Sequence, residues 1–203
     1  AMDNHLPLRA GDTPTLTTNS SMMSGQRAVS FDPGDGLYLY DGVRGLYTGD
    51  MAYSMGTLFG SAALSSNNQI IMNFGAGSGT SNQTPFLFVD SSNNLNSSIW
   101  GSDLSSNVTP IVNKPFYLEA SHMSGPMSVG ANNEIFLDGA EIESPTATGT
   151  GTLNVPSNPR IELGHVYNTG DMFESWVYSR SSSVKEIFDR KQYLDRKWRM
   201  VAD

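Results

Sequence analysis

Before residue 183 the chain never sustains an apolar pattern at helical spacing. Its hydrophobic residues come in short runs, most of them closed by Gly, Pro, Asp, Asn or Ser. That punctuation leaves room for strands and little else. The clearest instance is the stretch Glu134-Ile135-Phe136-Leu137-Asp138-Gly139-Ala140-Glu141-Ile142-Glu143. Asp-Gly between two strand-like runs is a two-residue hairpin signal, because both central residues of such a turn need positive φ. Further runs predict strands at 28–31, 37–40, 69–74, 85–89, 95–100, 115–122, 160–164 and 172–178. Around 51–64 the alternation is interrupted by Gly56 and Gly60, and strands are expected there too. The Thr/Gly stretch at 146–152 reads as a linker or long loop, and the stretch through Pro110 as a loop. Composition agrees with this reading: 27 Ser, 14 Thr, 16 Asn and 20 Gly make up 77 of 203 residues, and only 16% of the chain is charged. Such a mix is poor in the long charged side chains that helical bundles require.

One helix is expected, at the end. Ser183-Val184-Lys185-Glu186 is a capping box, in which the Ser hydroxyl accepts from the amide three residues on and Glu186 reaches back. Val184, Ile187, Lys191, Leu194 and Trp198 then fall on one stripe at helical spacing. Residues 1–24 read as an irregular lead-in, with Ala1-Met2 a remnant of cloning, and 1–203 as a single domain without internal repeats. The sum is an all-β antiparallel sandwich with a short C-terminal α-helix, which the resemblance below refines to a jelly roll.

Several chemistries are excluded or disfavoured. The absence of Cys removes disulfides, thiolate catalysis and Cys-containing zinc sites. No run of 18 apolar residues exists, so no transmembrane segment is expected. Residues 1–179 carry 5 basic and 16 acidic side chains, whereas 180–203 carry 7 basic and 4 acidic. The acidic bulk repels polyanions, and the basic end reads as a solvated helix face, so nucleic acid is not an expected partner. Gly75-Ala76-Gly77-Ser78-Gly79 leads into Thr80 and Pro85 rather than a helix, which makes it a loop and not a phosphate cradle. His5, His122 and His165 lack a second His at metal spacing and read as structural. Four Asn-x-Ser/Thr sequons, at Asn19, Asn82, Asn96 and Asn107, are expected by chance in such a composition.

Three stretches carry a resemblance to a known superfamily. They are 25–32 with 35–39, where a Phe-Asp turn joins two short strands; the 134–144 hairpin; and Phe173-Glu174-Ser175-Trp176-Val177-Tyr178-Ser179-Arg180-Ser181 with Glu186-Ile187, Tyr193-Leu194 and Lys197-Trp198. Together they resemble the concanavalin A-like lectin/glucanase superfamily, and within it the laminin-G-like jelly-roll domains, over about residues 25–199. The opening Trp-rich segment often found in such domains is missing here.

The resemblance implies a non-catalytic recognition module for carbohydrate or a cell surface, carried on a larger secreted or virion protein and located outside the cell. An alternative is a structural or assembly domain of a phage tail, capsid or adhesin with a protein partner. A glycoside hydrolase is the least favoured reading. It would need two carboxylates close together on one strand face, and Glu141-Ile142-Glu143 is better read as a solvent-facing stripe. For sugar binding an exposed ring must stack on the pyranose face. Trp100 is the first choice, flanked by Asn93 and Asn94, with Tyr38, Tyr40 and Tyr47 as further rings, while Trp176 and Trp198 are expected in the core. Calcium, which many members of this superfamily hold, would use loop oxygens. Asp32 with Asp35, Asp41 with Asp50, and Asp90 with Asn93 and Asn94 are the candidates, against the plainer reading that Asp and Asn are turn residues.

Overall fold

A computed structural model describes residues 14–20, 22–23, 25–39, 48–76, 80–127, 132–143, 145–165 and 167–199. The described chain forms two antiparallel seven-stranded sheets packed as a jelly-roll sandwich, with one C-terminal helix. The back sheet is ordered β1 (Thr15–Thr17), β2 (Ala28–Phe31), β14 (Gly170–Tyr178), β4 (Tyr53–Ser61), β9 (Pro115–His122), β10 (Asn133–Leu137) and β11 (Ala140–Glu141). The front sheet is ordered β12 (Thr146–Thr148), β8 (Asp103–Ser105), β7 (Leu95–Ser98), β6 (Phe86–Val89), β5 (Gln69–Gly75), β13 (Arg160–His165) and β3 (Leu37–Leu39). Helix α1 is Val184–Trp198. None of the described helices is long and apolar enough to cross a membrane.

The core lies between the sheets. Met55, Phe59, Leu118 and Ile135 from the back meet Phe74, Leu87, Val89 and Leu104 from the front. Strand periodicity sends the alternate residues to the outer faces. In β6, Leu87 and Val89 therefore enter the core while Phe86 and Phe88 face outward. A bulge in β5 between Ile70 and Met72 lets Ile71 and Met72 both enter the core and leaves Ile70 and Asn73 on the outer side.

The expected hairpin is present, with Asp138 at φ 52° and Gly139 at φ 83°. Three strands go beyond the sequence expectation: β1 in the lead-in, β8 in the loop through Pro110, and β12 in the Thr/Gly stretch. All three are short and sit at or next to a sheet edge, where pairing with a longer neighbour supplies what local propensity does not. Gly56 and Gly60 do not interrupt a strand but lie inside the nine-residue β4. At Gly56 a Cβ would meet the Trp176 ring at 2.5 Å, so the missing side chain is what lets that ring lie on the sheet.

The back sheet's outer face is covered. Ile187 and Leu194 of α1 pack on Leu58, Tyr117 and Phe136, with Phe173, Trp176 and Trp198 at the margin. Ser183 caps the helix, accepting from the Glu186 amide while the Glu186 side chain accepts from the Ser183 amide. Beneath it the buried Glu119 receives Arg190 Nε at 3.0 Å and Nη2 at 2.5 Å, together with the Tyr117 hydroxyl. Val184 departs from the expected stripe and is 58% exposed. Lys191 keeps its expected place, with its Cβ and Cγ against Gly139 and its ammonium on Asp195 at 2.5 Å.

Candidate binding site

Among the described residues no helix lies over the front sheet's outer face. Register there sets one row across five strands: Glu162 opposite Asn73, Asn73 opposite Phe86, Phe86 opposite Ser98, and Ser98 opposite Asp103. A second row runs His165, Ile70, Phe88. Ile70, Phe86 and Phe88 make an apolar cluster outside the main core, with Trp100 packed against it. The rings of Phe86 and Phe88 are 4.9 Å apart and those of Phe86 and Trp100 5.4 Å, both tilted.

This cluster is the floor of an open groove of about 690 Å³. Ser66, Asn67 and Asn68 line one end with Ser91, His165 and Tyr167, and Trp100, Gly101 and Asp103 line the other. The volume falls in the range of small-ligand sites, and the make-up of apolar floor with hydroxyl and amide rim is their general form. Two of the lining aromatics, Trp100 at φ 57° and Tyr167 at φ 61°, adopt the left-handed backbone region. Residues without the freedom of glycine are held there at a cost of order 1–3 kcal/mol, and such positions cluster at functional sites. The Trp100 amide donates to Ser98 Oγ at 2.9 Å, and Ser98 Oγ donates to Asp103 Oδ1 at 2.5 Å. The turn that presents the ring is thereby tied to the sheet.

Beside the groove lies a buried polar cluster. Glu162 receives Asn73 Nδ2 at 2.9 Å and sits 2.6 Å from His165 Nδ1, with Arg160 Nη2 at 3.8 Å. Burial pushes the Glu162 carboxyl up, but hydrogen bonds from His165, Asn73 and Tyr38 outweigh it and hold the group below the usual carboxylate range.

Of the residues singled out from sequence, Trp100 lies in the groove. Asn93 and Asn94 do not line it; they belong to the β6–β7 turn, of which only Ser91 reaches the groove. Tyr38 does not offer the exposed face expected of it. It is 1% exposed, with its hydroxyl 3.1 Å from His165 Nδ1, because its strand directs it onto the row ending in Glu162. Tyr40, Tyr47 and Asp41 lie outside the described residues. Tyr167, Asp103 and the Ile70, Phe86 and Phe88 floor were not anticipated as site residues.

The proposed calcium ligands are engaged in holding turns. Asp90 accepts from the amides of Ser92 and Asn94 through Oδ1 and from Asn96 Nδ2 through Oδ2. Asp35 Oδ2 accepts from the Asp32 amide at 2.9 Å, and the Asp35 amide donates back to the Asp32 carbonyl. Asp50 accepts from the Gly125 amide and lies 3.8 Å from His122 Nε2. Among the described residues no three His, Asp or Glu gather as metal ligands would. His122 is buried against Asn133, and burial lowers its pKa. Glu141 and Glu143 are exposed at the outermost hairpin of the back sheet.

No protein family and no curated protein matches the chain by sequence. Solved structures do match in fold. Domain 4 of AbnA, a GH43 extracellular arabinanase from Geobacillus stearothermophilus, solved with arabinotriose, superposes with a TM-score of 0.62 at 16% identity, covering 88% of this chain and 81% of that domain. The binding domain of Botulinum neurotoxin serotype G gives 0.63 at 9% identity, with 95% of this chain spanning 47% of that one. The CBM40 of Ruminococcus gnavus IT-sialidase, bound to α2,3 sialyllactose, gives 0.57 at 12% identity, over 81% of this chain and 95% of that one. At these identities the likeness is one of fold: a β-sandwich of the kind found in carbohydrate-binding and glycosidase-associated domains.

Proposed function

We propose that this chain is a non-catalytic carbohydrate-recognition module of the concanavalin A-like, laminin-G-like kind, acting outside the cell as part of a larger protein. The observation that carries the reading is the groove on the uncovered front face, where Trp100 and Tyr167 stand over a floor of Ile70, Phe86 and Phe88 with Ser and Asn side chains along the rim. Sugars present apolar C–H faces ringed by hydroxyls, and this surface offers matching rings and hydrogen-bonding groups. Fold neighbours solved with arabinotriose and with sialyllactose support the same reading by analogy.

Binding without catalysis is part of the proposal. Glu162 and Asp103 share the front face but stand four strand spacings apart, roughly 19 Å. Glycoside hydrolysis places its two carboxyl groups about 5–9.5 Å apart.

A glycan array with the whole chain, run with calcium and with chelator, tests the reading. Binding to a defined glycan class that Trp100→Ala removes supports it, and a blank array under both conditions overturns it. Loss of binding in chelator alone would assign calcium a role in the site.

A second reading, an assembly module with a protein partner, rests on Val184 and Phe188. These i, i+4 neighbours on α1 are 58% and 53% exposed. Sedimentation of the isolated chain tests it.

A further inference from the structure

The charge of the groove narrows its ligand. The described lining residues include no Lys or Arg; their one carboxylate is Asp103, at the Trp100 end. The cation nearest along the row is Arg160, whose guanidinium stands 3.8 Å from Glu162 and 6.0 Å from the Tyr38 ring centroid, outside the lining. Glu162 is itself ionised at neutral pH, so Arg160 faces a charge of opposite sign already. The chain as a whole carries a net formal charge of −8. An anionic sugar entering this groove would lose hydration without finding a guanidinium or ammonium to replace it. It would also meet Asp103 at close range.

Resting on the carbohydrate reading above, we infer that the groove takes uncharged saccharides and rejects acidic ones, with Asp103 as the residue that sets this selectivity. Asp103 suits that role by position. It closes the cross-strand row beside Phe86 and Ser98, one oxygen receives Ser98 Oγ, and the side chain lies partly open to the groove next to Trp100. Its charge therefore projects toward the place where a saccharide stacked on Trp100 would carry its substituents. Because Ser98 also receives the Trp100 amide, the same carboxylate steadies the ring it guards.

The test compares matched pairs of glycans, neutral and sialylated, uronate-bearing or sulfated, on the same backbone, against the whole wild-type chain and against Asp103→Asn. Asn is isosteric and keeps an oxygen for Ser98. The acidic member of each pair is expected to bind at least about tenfold more weakly to the wild type. The gap should shrink as salt rises from about 0.01 to 0.15 M, since screening acts on the repulsion alone. In Asp103→Asn the gap should narrow at least about threefold at low salt. Acidic glycans binding the wild type as tightly as neutral ones would overturn the selectivity while leaving the carbohydrate reading intact. A gap that is indifferent to both salt and Asp103→Asn would remove Asp103 from the role. Binding of neither class would overturn selectivity and carbohydrate reading together. The salt series uses wild-type protein only, so it stands even if the variant fails to fold.

Discussion

The two outer faces of the sandwich started from the same chemistry and ended differently. Each carries aromatic and aliphatic side chains directed away from the core: Leu58, Tyr117, Phe136 and Trp176 on the back, Ile70, Phe86, Phe88 and Trp100 on the front. On the back, α1 buries them and adds a charged anchor through Arg190 and Glu119. On the front, described loop residues such as Ser66–Asn68 and Ser91 line a groove above them. Ile70, Phe86 and Phe88 are themselves only 5–6% exposed, and what the groove leaves open is the Trp100 and Tyr167 rings above them. The helix is thus one solution to an outward apolar face, and the groove is the other, on which the carbohydrate reading rests.

Mutations separate the two faces most sharply in stability. Arg190→Ala leaves Glu119 buried and unpaired and is expected to cost about 3–5 kcal/mol. Leu194→Ala should cost about 2–5 kcal/mol. Urea denaturation measures both, and binding in the groove should stay within about twofold of wild type. If either variant loses binding while still folded, the faces are not independent.

Trp100→Ala is expected to behave in the opposite way. Its stability change should be smaller than about 1.5 kcal/mol, since the ring is only partly buried. Affinity should fall about thirtyfold or more, as for an aromatic hot spot. Isothermal titration with an array-identified glycan reads this directly.

Trp100→Gly sharpens the point. Glycine takes φ 57° without strain where alanine does not. The Gly variant should therefore be more stable than the Ala variant by about 1 kcal/mol while binding no better. Equal melting temperatures would mean that the turn holds no strain for the ring.

The smallest effect concerns pH on the back face. Hydrogen bonds from Arg180 and from Ser183 push the Glu186 carboxyl down to about 2. Its folded pKa lies below its ordinary value of 4.5, so its contribution to stability is present above about pH 4.5 and fades as pH falls toward 2. Glu186→Gln should remove that portion of the acid dependence and leave groove binding at neutral pH unchanged. Circular dichroism melts across pH 2–6 check it.

Sequence made the frame legible where one signal dominated locally. Asp138-Gly139 dictates its turn, and Ser183 with Glu186 marks the helix start, because both work within a few residues. The sandwich itself follows from the spacing of short apolar runs. Trp100 was legible as a candidate because a large ring stood alone among polar loop residues. The floor was not. In Pro85-Phe86-Leu87-Phe88-Val89 every position after the proline is apolar, so a period of two cannot say which rings face out. The answer depends on pairing with β5 and on its bulge between Ile70 and Met72, a long-range matter. Tyr38 failed as a ring for the same reason: its partner Glu162 is 124 positions away in sequence, and that pairing buries it. Tyr167 and Asp103 carry no local signal; the register of β8 on β7 brings Asp103 to the groove, and the turn after β13 brings Tyr167.

Saccharide binding in the front groove is tested by an amide-resolved NMR titration of the whole chain with an array-identified glycan. Shifts are expected to centre on Ser66–Asn68, Phe86–Phe88, Trp100–Asp103 and Tyr167, with α1 and the back sheet unmoved. Shifts centred instead on α1 or on the 32–35 turn, with the groove silent, would contradict it.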